Sequence, residues 1–255
     1  MLEEEVEIIP PEPIEILFQN EEVIIVTKPS GLLVHPYWKE TNEKDNLMRR
    51  VRDQIGQRVY PIHRLDRPVS GALMFGLNGD IVKRVQEHWH DKLKVHKEYL
   101  ALVFGEIQEE GIFNFALSNE KKIKQEALTK YRPLTTSERA TLMQITIETG
   151  RTHQIRRHFS RSSHHLIGDT KHGKGKINNY YRETHGFHRI FLHSYRFKID
   201  LDFLKVEVES PLPKELKELL TTINIDYSNI PTWKEVESNL SGDFSQSKDR
   251  EPLIE

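Results

Sequence analysis

The chain has 255 residues, 36% of them hydrophobic, with 37 Lys and Arg, 39 Asp and Glu, 13 His and no Cys. That length supports one large domain or two small ones with a continuous core, and there is no apolar run of about 18 residues to make a membrane span. Lack of cysteine excludes disulfides and thiolate metal sites and suits a reducing, cytoplasmic setting; glutamates stand where a secretory signal would carry basic and apolar regions.

The net charge of −2 hides an asymmetry. Residues 1–22 hold eight Glu and no Lys or Arg, and residues 202–255 hold twelve acids against six bases. Between 23 and 201 this leaves 31 basic and 19 acidic residues, a net of +12, together with all 13 histidines. A basic body with acidic ends fits a polyanionic partner, although a solvated basic surface would look the same.

In chain order, Pro10, Pro11 and Pro13 among glutamates mark residues 1–13 as an acidic, disordered lead. Ile14–Phe18 and the β-branched run Val23–Thr27 predict strands, followed by a turn at Lys28-Pro29-Ser30-Gly31. From Asp45 to Gln57, Leu47, Met48, Val51 and Ile55 recur at helical spacing, with Asp45 as the N-cap and Arg49, Arg50 and Arg52 off the apolar face. Two extended runs then flank a break at Asp66–Gly71, so Asp66 sits where strand gives way to loop, between Arg64 and Arg67 that favour its ionised form. Taken alone, such an Asp is usually a salt-bridged loop residue capping Ser70 or a backbone amide.

Asp80–His90 is helical through the core stripe Val82, Val85 and Trp89, and Lys97–Phe104 alternates as a half-buried strand in which Tyr99 is by itself an ordinary core or rim tyrosine. Residues 112–132 are lysine-rich and weakly patterned, an insertion or exposed hairpin. Thr141–Glu148 is a strand closed by Gly150. Thr152 then caps a helix seated by the apolar pair Ile155 and Phe159, which carries Arg156 at a fixed offset. Gly168–Gly173 and Arg182–Gly186 read as loops with no chemistry of their own. A strand at Ile190–Tyr195, another around Val206 and Val208 and a short helix after Pro213 complete the folded part, and residues 237–255 read as a polar tail.

Three strings carry a resemblance. His63-Arg64-Leu65-Asp66 with Ser70-Gly71, Lys97-Glu98-Tyr99, and Gly150-Arg151-Thr152-His153-Gln154-Ile155-Arg156-Arg157-His158 resemble the signatures of the RluA family of RNA pseudouridine synthases. Lys28-Pro29-Ser30-Gly31-Leu32 is similar to the element that buttresses the catalytic loop in that family. The family's usual Thr-Ser-Gly is Val69-Ser70-Gly71 here, which keeps β-branched shape and loses a hydroxyl. The resemblance implies an α+β pseudouridine synthase fold over residues 14–236: a long mixed, mainly antiparallel sheet with flanking helices and a central cleft. No S4-like domain is expected before Ile14.

It also implies a catalytic set of Asp66, Tyr99 and Arg156. Asp66 acts as nucleophile or charge stabiliser, Arg156 pairs with it, and Tyr99 stacks on an extruded pyrimidine. Arg64 resembles the residue that takes the place of the flipped uridine. The expected RNA contacts are Arg64, His63, Arg67, Lys28, Arg151, His153 and Gln154. The isomerisation loses nothing to solvent and changes no redox state, so neither cofactor nor metal is expected. Val51–Gln57 and the loops at 168–173 and 182–186 look most like the tRNA-modifying branch. Its target is a uridine where the T stem meets the acceptor stem; ribosomal RNA is the runner-up, and no obligate protein partner is implied. Glycoside hydrolysis would need a second carboxylate beside Asp66. A metal hydrolase would have to use His153, His158, His164 and His165 among repelling arginines, and a non-catalytic RNA-binding protein would have no need of Asp66.

Overall fold

The computed structural model describes residues 12–36, 45–137 and 139–231, so most of the acidic lead and the whole polar tail lie outside the described residues. Strands β1 (Ile16–Gln19), β2 (Val23–Lys28), β3 (Tyr60–Pro61), β4 (Ser70–Gly76), β5 (Val95–Phe104), β6 (Gly111–Phe113), β9 (Thr129–Ser137), β10 (Ala140–Ile147), β11 (Leu192–Leu201) and β12 (Leu204–Glu209) form one sheet. Its path is β1-β2-β4-β11-β5-β10-β9-β6, with β12 beside β11 and β3 beside β4. A small hairpin joins β7 (Leu117–Ser118) to β8 (Lys124–Gln125). Among the described residues the only parallel pairing is β11 with β4, His193 opposite Ser70 and Ser194 opposite Gly71. The sheet is therefore mixed and mainly antiparallel, as expected of an α+β pseudouridine synthase fold.

Alternation along the strands divides the core between two faces. One face collects Leu73 and Phe75 of β4, Tyr99 and Ala101 of β5, and Met143 and Ile145 of β10. It is covered by Leu47 and Val51 of α1 (Leu47–Ile55) and by Ile155 and Phe159 of α3 (Gln154–Arg161). The opposite face is covered by α2 (Gly79–Glu87) through Ile81 and Val85 at one end. At the other end lie Tyr181 of α4 (Gly175–His185) and Leu216, Leu219 and Leu220 of α5 (Lys214–Thr222). Each such apolar side chain contributes on the order of 2 kcal/mol by leaving water.

Three local readings change. Asn46, not Asp45, caps α1, accepting from the Arg49 amide, while Asp45 pairs with Arg50. Thr152 caps nothing in α3: the N-cap is His153, held left-handed at φ 53° with no side-chain cap bond. Residues 182–186 are the last turn of α4 and its Gly186 cap, not a loop. That helix escapes sequence periodicity because only Asn178 and Tyr181 of its residues are buried. The lysine-rich stretch does contain an exposed hairpin, β7–β8, and its start is tied to the core where Phe113 packs on Tyr131 and Phe159.

Candidate active site

Asp66 lies in the loop between β3 and β4, and backbone carbonyls fix that loop. Lys28, wholly buried, donates through Nζ to the carbonyls of Pro29, Arg67 and Val69 at 2.8, 3.0 and 2.8 Å. Ser30 Oγ donates to the Pro68 carbonyl at 2.7 Å, and the Gly31 amide to that of Arg67 at 2.9 Å. Burial, with the Arg189 charge, pulls the Lys28 pKa down to about 7, while three carbonyl acceptors favour retention of the third proton. Behind the loop, Ser70 Oγ lies 2.8 Å from His193 Nδ1 and accepts from Arg189 Nη2 at 2.6 Å. Gly71 is required at its position: φ is +117°, and a Cβ there would come within 2.2 Å of the Ser194 carbonyl oxygen.

Ser194 is opposite Gly71 on one side and Tyr99 on the other, so the sheet register carries Tyr99 toward the Asp66 loop. Tyr99 is 7% exposed. Burial, with the nearby Asp66 charge, raises its phenol well above the usual tyrosine range.

Helix α3 brings Arg156 from 90 residues away. Its Nη1 donates to Asp66 Oδ2 at 2.8 Å; its Nε and Nη2 donate to Asp169 Oδ2 and Oδ1, both at 2.8 Å. Burial opposes the guanidinium charge, but the bonds to Asp169 and Asp66 outweigh it and raise the pKa above the ordinary arginine value. Asp169 is 1% exposed and also accepts from the amides of Lys171 and His172 at 2.9 and 3.0 Å. Against the cost of burial, these donors hold its carboxyl below the usual range. Asp66, by contrast, keeps 25% of its side chain exposed, leaving one carboxylate open to solvent and one locked beneath it.

Asp169 is the residue that strand and helix patterns miss. A signal existed: it is the only acidic residue between Glu148 and Glu183, in a stretch crowded with Arg, Lys and His. An isolated carboxylate in such surroundings is a natural partner for a buried guanidinium.

The expected RNA contacts separate into two groups. Arg64 and Arg67 are exposed on either side of Asp66, with Arg67 Nε on the Gly31 carbonyl. Arg151 is half-buried and reaches the Glu126 carbonyl at 2.8 Å; His153 Nε2 lies 3.7 Å from Asp66 Oδ2. Three others are engaged within the protein. Lys28 is buried and all its donors are used on the loop. Gln154 is buried, accepting from Thr149 Oγ1 and the Arg151 amide while donating to the Leu128 carbonyl and Thr129 Oγ1. His63 stacks on Trp89 at 4.6 Å, in the cluster on the other face of the sheet, and its Nε2 accepts from the Met74 amide. Burial lowers its pKa to about 3, so it offers RNA no charge.

The competing chemistries can be compared with the same geometry. Asp169, the second carboxylate, is buried behind Arg156 and cannot flank a glycosidic bond. The four histidines considered as metal ligands are engaged separately: His153 with His172, His158 with Thr129 and the Phe115 carbonyl, His164 with the Phe104 carbonyl, and His165 with the His172 carbonyl.

Residues 22–161 match the family described as RNA pseudouridylate synthase. A Vibrio parahaemolyticus protein named tRNA pseudouridine synthase C is 38% identical over 220 residues, covering 78% of this chain and 89% of its own. Its namesake in Vibrio cholerae is 37% identical over 221 residues, covering 78% and 88%. The fold is shared with human RNA Pseudouridylate Synthase Domain Containing 1, at a TM-score of 0.70 and 23% identity over 91% of this chain and 97% of that one. Domain Containing 4 gives 0.69 and 20% over 84% and 95%. With the family's matched region spanning the Asp66 loop, Tyr99 and Arg156, the chain belongs to the RNA pseudouridylate synthase family.

Proposed function

We propose that this enzyme isomerises one uridine of tRNA, where the T stem meets the acceptor stem (uridine 65), with Asp66, Tyr99 and Arg156 as its catalytic set. The single observation that carries the reading is the Asp66–Arg156 bond of 2.8 Å, formed between the two signature strings and open to solvent on the Asp66 side. The tRNA assignment rests on relatives named tRNA pseudouridine synthase C that cover most of this chain.

In this reading the target uridine leaves its stack at a cost of a few kcal/mol, offset in part by Arg64 entering the vacated place. Asp66 meets C1′ as the bond to N1 breaks, either bonding to it or stabilising its developing positive charge. The uracil turns, C5 joins C1′, and the C5 proton is lost while N1 gains one, so the product has the atoms of the substrate. Arg156 keeps Asp66 aimed, anchored from behind by Asp169. Tyr99, whose phenol resists ionisation, supports the base as a flat surface and does not act as a base. Arg67, Arg151 and His153 line the approach. Residues 14–236 form the catalytic domain, flanked by the acidic lead and polar tail.

The test is to map carbodiimide adducts on RNA from cells lacking the gene, reading stops in reverse transcription. One missing tRNA signal at that junction is expected; a loss confined to ribosomal RNA would overturn the substrate assignment. Asp66→Ala should bind tRNA as before and form no product, and product formed by that variant would remove Asp66 from its role.

A further inference from the structure

A pair of imidazoles stands beside the Asp66–Arg156 bond. His153 Nδ1 lies 2.8 Å from His172 Nε2, with the rings nearly perpendicular at 72°. The other nitrogen of His153, Nε2, lies 3.7 Å from Asp66 Oδ2. His172 is held at both ends of its backbone, its amide donating to Asp169 Oδ1 at 3.0 Å and its carbonyl 2.9 Å from His165 Nδ1. One turn thus positions Arg156 through Asp169 and His153 through His172.

A nitrogen–nitrogen separation of 2.8 Å between neutral rings needs one proton, carried by one nitrogen and received by the lone pair of the other. If His153 carried it on Nδ1, its bare Nε2 lone pair would face a carboxylate oxygen. If His172 donates instead, His153 is protonated at Nε2 and turns an N–H toward Asp66. Electrostatics favours the second arrangement. We propose that His172 is a positioning residue that fixes His153 as the Nε2–H tautomer, so that a neutral donor joins Arg156 beside Asp66.

The charges acting on the pair are the carboxylates of Asp66 and Asp169 and the cations of Arg156 and Lys171. Burial, the largest influence, lowers both pKa values, that of His172 to about 4, so the pair stays neutral near pH 7. A neutral donor adds orientation without adding a second full charge to the one Arg156 supplies. At 3.7 Å it makes no hydrogen bond in the free enzyme. It becomes useful when a ribose is drawn against Asp66, where it can bond to the carboxylate or to a sugar oxygen. The inference rests on Asp66 being the reacting carboxylate.

The tautomer can be read directly from long-range proton–nitrogen correlations of the 15N-labelled free enzyme, with the two rings assigned by comparison with His153→Gln and His172→Phe. His153 should show a protonated Nε2 and an unprotonated Nδ1; the reverse pattern overturns the proposal. His172→Phe should lower kcat by about tenfold with KM within about twofold, and His172→Gln, which retains a donor, should restore most of the loss. Unchanged kcat in folded His172→Phe, or no recovery in His172→Gln, would also overturn it. Should the Phe variant not fold, the correlation spectrum and the Gln variant still decide. A failure of the Asp66 reading shows separately, as product formed by Asp66→Ala.

Discussion

Arg156 donates two parallel hydrogen bonds of 2.8 Å to Asp169 and a single one of 2.8 Å to Asp66. The paired grip fixes the plane of the guanidinium, and the remaining Nη1 then presents a donor in one direction. Asp169 is itself set by the Lys171 and His172 amides and by Asn178, whose Nδ2 donates to its carbonyl. The aim of the Asp66 carboxylate is thus decided one layer below it.

Asp169→Asn should therefore impair catalysis without touching substrate. The amide keeps the shape but replaces one acceptor by a donor aimed at the guanidinium. We expect single-turnover product formation to fall by about 10- to 100-fold, with tRNA affinity nearly unchanged. Unfolding in urea should show a loss on the order of 3 kcal/mol for the broken buried pair. Full activity in this variant would show that Asp66 needs no such support.

Lys28 was expected both to buttress the loop and to touch RNA, and Lys28→Met separates the two roles. It would leave the carbonyls of Pro29, Arg67 and Val69 without their shared donor, a cost of about 3 kcal/mol in urea unfolding. Turnover should fall as the loop loosens, while tRNA affinity at fixed salt stays within about twofold. Weakened binding in a variant of unchanged stability would return Lys28 to the RNA surface.

Arg64→Ala probes the exposed neighbour of Asp66, which has no hydrogen-bond or ion-pair partner among the described residues. Its removal should leave the thermal midpoint within about a degree, since exposed substitutions away from special features change stability little. The value of kcat/KM should drop by at least about tenfold, because the vacated stack is no longer filled. Fluorescence of 2-aminopurine placed beside the target should report less flipping; a wild-type flipping signal would contradict the role.

Acid should weaken the fold through histidines held neutral. His158 and His193 are wholly buried, and burial, chiefly, lowers both pKa values from 6.5 to about 4. Between pH 6.5 and 4 each ring binds fewer protons folded than unfolded. Stability therefore grows as pH rises across that window and is lost as pH falls through it. At pH 4 the loss is on the order of 3 kcal/mol for each ring. Urea midpoints at pH 6.5 and 4.5 measure it, and His158→Gln should flatten the dependence; equal slopes in the two proteins would contradict the assignment.

Sequence alone was enough to place the chain in its family and to outline most elements. The extended runs of β5 and β10, the apolar stripe of α1, and the strings at 63–71 and 150–158 are local patterns, readable because each depends on residues within a few positions of one another. Strand β5 is nevertheless buried on both faces and not half-buried as its alternation suggested. Tertiary structure decided the rest, for a physical reason. A side chain's role follows from where its donors end, and that depends on partners remote in sequence. Lys28, whose loop-buttressing place was legible, turns out to spend every donor on that loop, and Gln154 reads as an RNA ligand until a buried carbonyl and hydroxyl are found to consume its donors. His63 looks the same until it stacks on Trp89 across the sheet. Asp169 sits in a loop to which the sequence assigns no chemistry, and α4 shows too weak an apolar stripe to be read. Only folding brings that loop under Arg156, so the anchor of the site belongs to the topology, whereas Asp66 and Arg156 were already legible.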